Sequence, residues 1–247
     1  MATAVKVMVF IVALRFMVEG LEHLHSVWAP ALMFLSILSM VVGNVMALVQ
    51  SSIKRMLAYS SIAHSGYITA AIASIGYQSG DLPAATVLFY LVGYTVISLG
   101  AFGILMWFES QEAENLQLDD LAGIARRYPL ASLALAAFMF SFAGFPPTVG
   151  FMGKFFVFNA AIGAQLYSLA IIGVLSSSVS LYYYLRVVVK MYMTPDNATA
   201  ATLNPRPSWA IGLITSAALV LTFVLGTLSP SQLMNGMKNS VRSLNTK

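Results

Sequence analysis

The stretch Ala143-Gly144-Phe145-Pro146-Pro147-Thr148-Val149-Gly150-Phe151-Met152-Gly153-Lys154-Phe155 decides how this chain folds. It lies inside an apolar run from 130 to 164 that is too long for one ordinary membrane span. Pro146 and Pro147 withdraw amide donors and the flanking glycines relax the backbone, so a helix crossing this run has to break. Hydrocarbon cannot hydrogen-bond the backbone groups freed by a break, which must therefore face protein or a water-filled cavity. Just beyond it stands Lys154, with apolar sequence on both sides.

The rest of the sequence supplies the setting. Hydrophobic residues make up 59% and charged residues 9% of the 247, whereas an ordinary soluble domain carries roughly 25% charged residues. A soluble core of this size could not hide so much apolar surface, so lipid is the solvent for most of the chain. Besides the broken run, apolar segments bounded by polar or breaking residues lie near 2–18, 29–49, 56–77, 83–108, 167–191 and 209–228. The expected fold is all-α: a polytopic transmembrane helical bundle of about seven spans, one of them discontinuous. The first segment, apolar except for Lys6 and Arg15, has neither a signal-peptide cleavage site nor a full spanning length. It reads as a helix joined partway, and we expect upstream residues or a separate polypeptide to complete it.

The chain contains no cysteine, so thiolate ligation of iron–sulfur clusters or haem and a disulfide framework are excluded, and no cofactor or metal is expected in it. The formal charge of +4 is small and its basic residues sit mostly beside span ends, which points to membrane topology rather than nucleic acid. Lys54 and Arg55 follow the 29–49 segment, Arg126 and Arg127 follow 83–108, and Arg186, Lys190 and Arg206 lie near the end of 167–191; the intervening connections lack Lys and Arg, and the positive-inside rule puts the basic set on one side, the cytoplasm or its equivalent. The basic tail, with Lys238, Arg242 and Lys247, falls on the opposite side and breaks the pattern. Trp28, Trp107 and Trp209 lie near span ends as interfacial aromatics. Asp119 and Asp120 precede an apolar turn and could cap a short interfacial helix, but the polar loop they stand in reads better as simply solvated.

Acidic residues are absent from the span interiors, so the basic ones there carry the information. An ionisable group at the bilayer centre costs at least ~2.5–3.5 kcal/mol on insertion scales, and needs a partner, a cavity or a function. A helix interrupted at mid-membrane offers Lys154 free carbonyls and room for water, the setting of a proton relay. The alternative is a lysine that snorkels to the interface. Lys6 is a relay candidate if its helix begins upstream, and a flanking anchor if it does not. His64 has an ordinary pKa near neutrality, and Ser60 and Ser61 lie one turn before it on the same face, which suits a hydrogen-bonded path. A packed, satisfied histidine is the competing reading.

Two stretches carry a family resemblance. Gly43-Asn44-Val45-Met46-Ala47-Leu48-Val49-Gln50, continuing through Ser52-Ile53-Lys54-Arg55-Met56-Leu57-Ala58-Tyr59-Ser60-Ser61-Ile62-Ala63-His64-Ser65-Gly66-Tyr67, resembles a signature of the antiporter-like membrane subunits of respiratory complex I, the proton-translocating NADH:quinone oxidoreductase. The 143–155 stretch resembles the broken helix of that family's second repeat. The Ser-Ser-Ile-Ala-His-Ser-Gly-Tyr wording and the Gly-Lys-Phe ending are similar to the branch called subunit 2, or subunit N in bacteria. The branch called M carries glutamate where this chain has Lys154. The branch called L adds a long lateral helix, for which nothing after Leu228 is long or apolar enough.

The resemblance implies the second half of an inverted-repeat fold, the last seven of the family's fourteen helices. It divides the chain into an incomplete helix and connection at 1–28, the second five-helix repeat at 29–191, and a loop, last span and tail at 192–247. It implies that Lys6 connects the half-channels, that Lys154 belongs to the exit half-channel and that His64 lies on the path between them, with Tyr59, Ser60, Ser61, Pro146 and Pro147 in support. The implied partners are neighbouring antiporter-like and small subunits of complex I, an N-terminal half carrying the first repeat, and lipids. Flavin, iron–sulfur clusters and quinone would belong to those partner subunits. The implied location is the bacterial cytoplasmic or mitochondrial inner membrane. Two alternatives stay open: a subunit of a multisubunit sodium/proton antiporter, and a structural half-subunit without transport.

Overall fold

The computed structural model describes residues 2–77, 81–109, 116–195, 209–228 and 230–245. Arg206, Lys247 and the middle of the polar loop, 110–115, lie outside the described residues, as does most of the expected connection at 192–208. Among the described residues the elements are helical, with an isolated bridge between Ser52 and Gln117. In chain order they are α1 (Ala2–Arg15), α2 (His25–Leu48), α3 (Ile53–Ile75), α4 (Leu82–Phe108), α5 (Pro129–Ala143), α6 (Val149–Gly163), α7 (Tyr167–Met193), α8 (Trp209–Phe223) and α9 (Pro230–Asn245). A π-helical turn at Phe16–Gly20 follows α1, and another at Val224–Leu228 extends α8. The chain is an integral membrane bundle: α2, α4, α7 and α8 with its extension are each long and apolar enough to cross a bilayer.

The helices pack through small residues, because lipid tails provide no hydrophobic drive for one apolar helix to seek another. A Cβ on Gly43 of α2 would lie 2.6 Å from the Ala63 amide nitrogen of α3, and one on Gly66 would lie 2.9 Å from the Ser36 carbonyl oxygen. The Ser36 hydroxyl also donates to the Gly66 carbonyl at 2.7 Å. Gly100 of α4 makes room in the same way for the ring of Phe138 on α5.

Polar contacts gather the connections at the two ends of the bundle. At one end the amide of Leu118 donates to Ser51 and that of Ile53 to Leu116. Lys54 pairs there with Glu109, Lys190 with Asp119 at 2.6 Å, and Arg186 donates to the Leu48 carbonyl. The Tyr128 ring, just before α5, meets Trp107 at 5.3 Å at that end too. Since α7 finishes at this end with Lys190, α5 and α6 together make one net crossing, as a discontinuous span requires.

Asp119 lies exposed, as in a solvated loop, and does not cap a helix: its carboxylate takes Lys190, which holds it below the ordinary carboxylate range, and the neighbouring Asp120 accepts the Gln117 amide at 2.7 Å. The basic tail lies at the end of the bundle opposite Lys54 and Lys190, as its place in the sequence implies. It forms α9, which buries Met234 and Val241 and pairs Arg242 with Asp81 at 2.6 Å, at the start of α4.

Candidate functional site

The break is built as the prolines and glycines dictate. Gly144 takes a left-handed conformation (φ 87°), which costs glycine nothing and ends α5. The amide of Phe145 turns back to the Phe140 carbonyl at 3.0 Å and that of Gly144 to Ser141 at 3.1 Å, a Schellman closure. A cis peptide joins Pro146 to Pro147, and α6 begins after Thr148, whose hydroxyl donates to the Phe145 carbonyl at 2.7 Å. Because Gly150 has no side chain, the first turn of α6 lies against the last turn of α5, and the Gly150 amide donates to the Ser141 hydroxyl at 3.3 Å. The two half-helices therefore overlap side by side.

That overlap brings Lys154 back to the break. It is 4% exposed, and its ammonium donates to the Ala143 carbonyl at 2.8 Å, to the Ser177 hydroxyl at 2.9 Å and to the Ser180 hydroxyl at 3.5 Å. The carbonyl is one of those a helix end leaves over. The side chain is thus held inside the bundle and does not snorkel to the interface. A cleft of about 270 Å³ lined by Gly144, Lys154, Phe155, Ser177 and Ser178 lies beside it.

Lys6 reaches α3 from α1, donating to the carbonyl and hydroxyl of Ser61 at 2.6 and 2.8 Å, with its Nζ 4.8 Å from the Tyr94 ring centroid. His64 is buried, and its Nδ1 and Nε2 lie 2.7 and 3.1 Å from the hydroxyls of Tyr90 and Tyr184. Tyr184 also bonds Ser60 at 2.7 Å. A neutral imidazole donates through one nitrogen and accepts through the other, so this Tyr–His–Tyr–Ser series has a direction that a proton transfer reverses. Beside it the Tyr183 hydroxyl donates to Asn44 at 2.9 Å.

The structure thus joins Ser60 to His64 through Tyr184, gives Ser61 to Lys6, and sets Pro146 and Pro147 in the link that aims Lys154. Tyr59 is half-buried against the core, outside the bonded series. Sequence reasoning missed Tyr90, Tyr184, Tyr183, Asn44, Ser177 and Ser180. Only an unusual density of hydroxyl and amide side chains within apolar spans could have flagged them. Among the described residues neither Lys6 nor Lys154 has a carboxylate partner, and no group of three or more His, Asp or Glu is placed to hold a metal ion.

Fold and site together define a class, the polytopic membrane bundles whose polar interior passes through a broken span. Residues 1–180 match the family described as NADH:quinone oxidoreductase/Mrp antiporter, transmembrane, and the chain belongs to that family. It is 43% identical over 231 residues to NADH-quinone oxidoreductase subunit N 1 of Sorangium cellulosum, a match covering 92% of this chain and 45% of that protein. With NADH-quinone oxidoreductase subunit N of Bdellovibrio bacteriovorus it shares 41% identity over 234 residues, covering 92% of this chain and 47% of that one. The chain spans about half the length of the curated relatives it matches. Among solved structures it is similar to a chain of respiratory complex I from Thermus thermophilus with bound Aureothin, with TM-score 0.68 and 35% identity, covering 83% of this chain and 44% of that chain. A chain of the Mrp complex from Dietzia sp. DQ12-45-1b, at TM-score 0.76 and 20% identity, covers 89% of this chain and 48% of that chain, and shares the fold alone.

Proposed function

We propose that this chain carries the connecting and exit segments of a proton path in a membrane-arm subunit of complex I, with Lys6, His64 and Lys154 as the groups that load and release protons. NADH oxidation and quinone reduction, with flavin, iron–sulfur clusters and quinone, belong to partner subunits, and the chain acts as part of that enzyme without redox chemistry of its own. Neighbouring antiporter-like and small subunits, a segment carrying the first repeat, and lipids surround it. In this reading 29–191 is the second repeat, preceded by an incomplete helix and connection at 1–28 and followed by the loop, last span and tail at 192–247.

The observation that carries the reading is Lys154, buried at a helix break with three bonds to neutral oxygens and no carboxylate among the described residues. An unpaired interior ammonium is costly to keep, and its charge responds to any charge that arrives or leaves nearby. A change of charge on a neighbouring subunit would therefore decide whether Lys154 holds or releases its proton. Lys6 is the corresponding group at the other end, and the His64 series lies between them.

Lys154→Ala in the assembled complex is expected to lower proton pumping together with coupled quinone reductase activity. Undiminished pumping with full assembly would overturn the relay role. The similarity in fold to the Mrp complex chain keeps one other reading, a subunit of a sodium/proton antiporter. Flavin and iron–sulfur proteins co-purifying with the chain would exclude it.

A further inference from the structure

We infer that Tyr67 is the switch between two parts of the polar interior, its hydroxyl passing a proton between Tyr183 on one side and the Ser177–Lys154 cluster on the other. The inference rests on the proton path proposed above and assigns its missing link.

As bonded, the interior falls into separate pieces. Lys154, Ser177 and Ser180 form one. His64, Tyr90, Tyr184 and Ser60 form another, with the Asn44–Tyr183 pair beside it, the rings of Tyr183 and Tyr184 being 4.5 Å apart. Tyr67 stands between them on α3. Its ring centroid is 6.0 Å from that of His64, and the Lys154 Nζ lies 5.5 Å from it. The ring is 1% exposed, so it is positioned by packing from every side.

The hydroxyl behaves differently from the ring. It is buried without a hydrogen-bond partner, with the side chains of Asn44, Ser177 and Tyr183 near it. An unpaired buried hydroxyl is a standing cost, and phenylalanine would fill the same space without it. A polar atom kept at a cost, between two bonded clusters, and near one member of each, is placed to connect them by a small rotation or through one bridging water. In the step itself each hydroxyl gains one proton as it loses another: Tyr67 takes the proton of Tyr183, which is replenished from the His64 side, and passes its own to Ser177, whose proton goes to an unprotonated Lys154 amine, so that the charge which leaves the His64 series ends on Lys154. One O–H bond forms, one breaks, and Tyr67 ends neutral. At rest the path is open-circuit, which is what a pump needs if protons are not to leak back.

Tyr67→Phe in the whole complex separates this role from packing. The expected result is normal assembly, a thermal midpoint equal to or above that of the parent, and NADH-driven proton pumping reduced roughly tenfold or more, the scale of losing a positioned proton-transfer group. Ser132→Ala is the control, since it removes another buried unpaired hydroxyl, on α5, and should leave pumping unchanged. Wild-type pumping by Tyr67→Phe overturns the inference, and so does failed assembly or a lowered midpoint, because either would make the residue a packing element. Lys154→Ala measured in the same preparations tells which idea failed: if it abolishes pumping while Tyr67→Phe does not, the path stands and only the switch is wrong.

Discussion

Replacing Gly150 by alanine sets a Cβ 1.8 Å from the carbonyl oxygen of Ser141 and 2.7 Å from its carbon. Both obstacles are backbone, so no side-chain rotation relieves the clash. To restore ordinary contact near 3.4 Å from 1.8 Å, the last turn of α5 and the first of α6 must part by about 1.6 Å. Overpacking of that kind costs ~1–3 kcal/mol. The same movement stretches the bond from Lys154 to the Ala143 carbonyl beyond its present 2.8 Å, and losing a bond to a charged group costs a further ~1.5–3 kcal/mol. At about 1.4 kcal/mol per tenfold, that second loss alone depopulates the bonded arrangement of Lys154 roughly 10- to 150-fold. The measurement is NADH-driven acidification of inverted membrane vesicles, followed with a pH-sensitive dye and normalised to NADH oxidation by an artificial acceptor that bypasses quinone. Gly212→Ala is the matched control, since a Cβ there meets nothing within 4 Å. Gly150→Ala is expected to reduce both the yield of complex and the pumping per assembled complex. Equal yield and equal pumping for the two variants would refute the claim that close overlap of the half-helices sets the Lys154 site.

Two further outcomes follow from the bonded groups. Tyr184→Phe strips Ser60 and His64 of a shared partner at 2.7 and 3.1 Å. It should lower stability by about 1–3 kcal/mol and slow pumping, the reverse of Tyr67→Phe in its effect on stability; a thermal midpoint at the parent value would remove Tyr184 from the series. At the loop end, Lys190 holds the Asp119 carboxyl below its ordinary value of 3.8. The contribution of the pair is then complete above that ordinary value and fades as pH falls through the lowered one. Exposure keeps the contribution small. Hydrogen exchange at the Gly123 amide, which is bonded to the Lys190 carbonyl, should lose protection below about pH 4 in the parent and not in Asp119→Asn; identical pH profiles would count against the pair.

What could be read in advance follows from how local each signal is. The break at Gly144–Pro147 was legible because proline and glycine act on their own backbone wherever they stand. Lys154 and His64 stood out because titratable groups are rare in apolar runs. The depth of Lys6 was not legible, since it depends on how α1 sits against α3, and the bond to Ser61 supplies it. Tyr90 and Tyr184 could not be found from His64, being 26 and 120 residues away and on other helices. A serine or tyrosine in a membrane helix is ordinarily a packed residue, and only the choice of neighbours makes it part of a path. The pairing of Asp119 with Lys190 was not legible for the same reason, because α7 brings the lysine to it.

The close fit of α2 and α3 also bears on how the protein is made. α3 carries Lys54, Arg55, Ser60, Ser61, His64 and Ser65, and it is not among the helices apolar enough to cross a membrane by themselves. Presented singly to the lipid during synthesis, it would be held less firmly than α2. The antecedent α2 is strongly apolar, and Gly43 and Gly66 let the two backbones touch. The pair is expected to enter the bilayer as a hairpin, with α2 escorting its more polar partner, so mutations that widen the seam at Gly43 or Gly66 should act first on insertion and only later on transport.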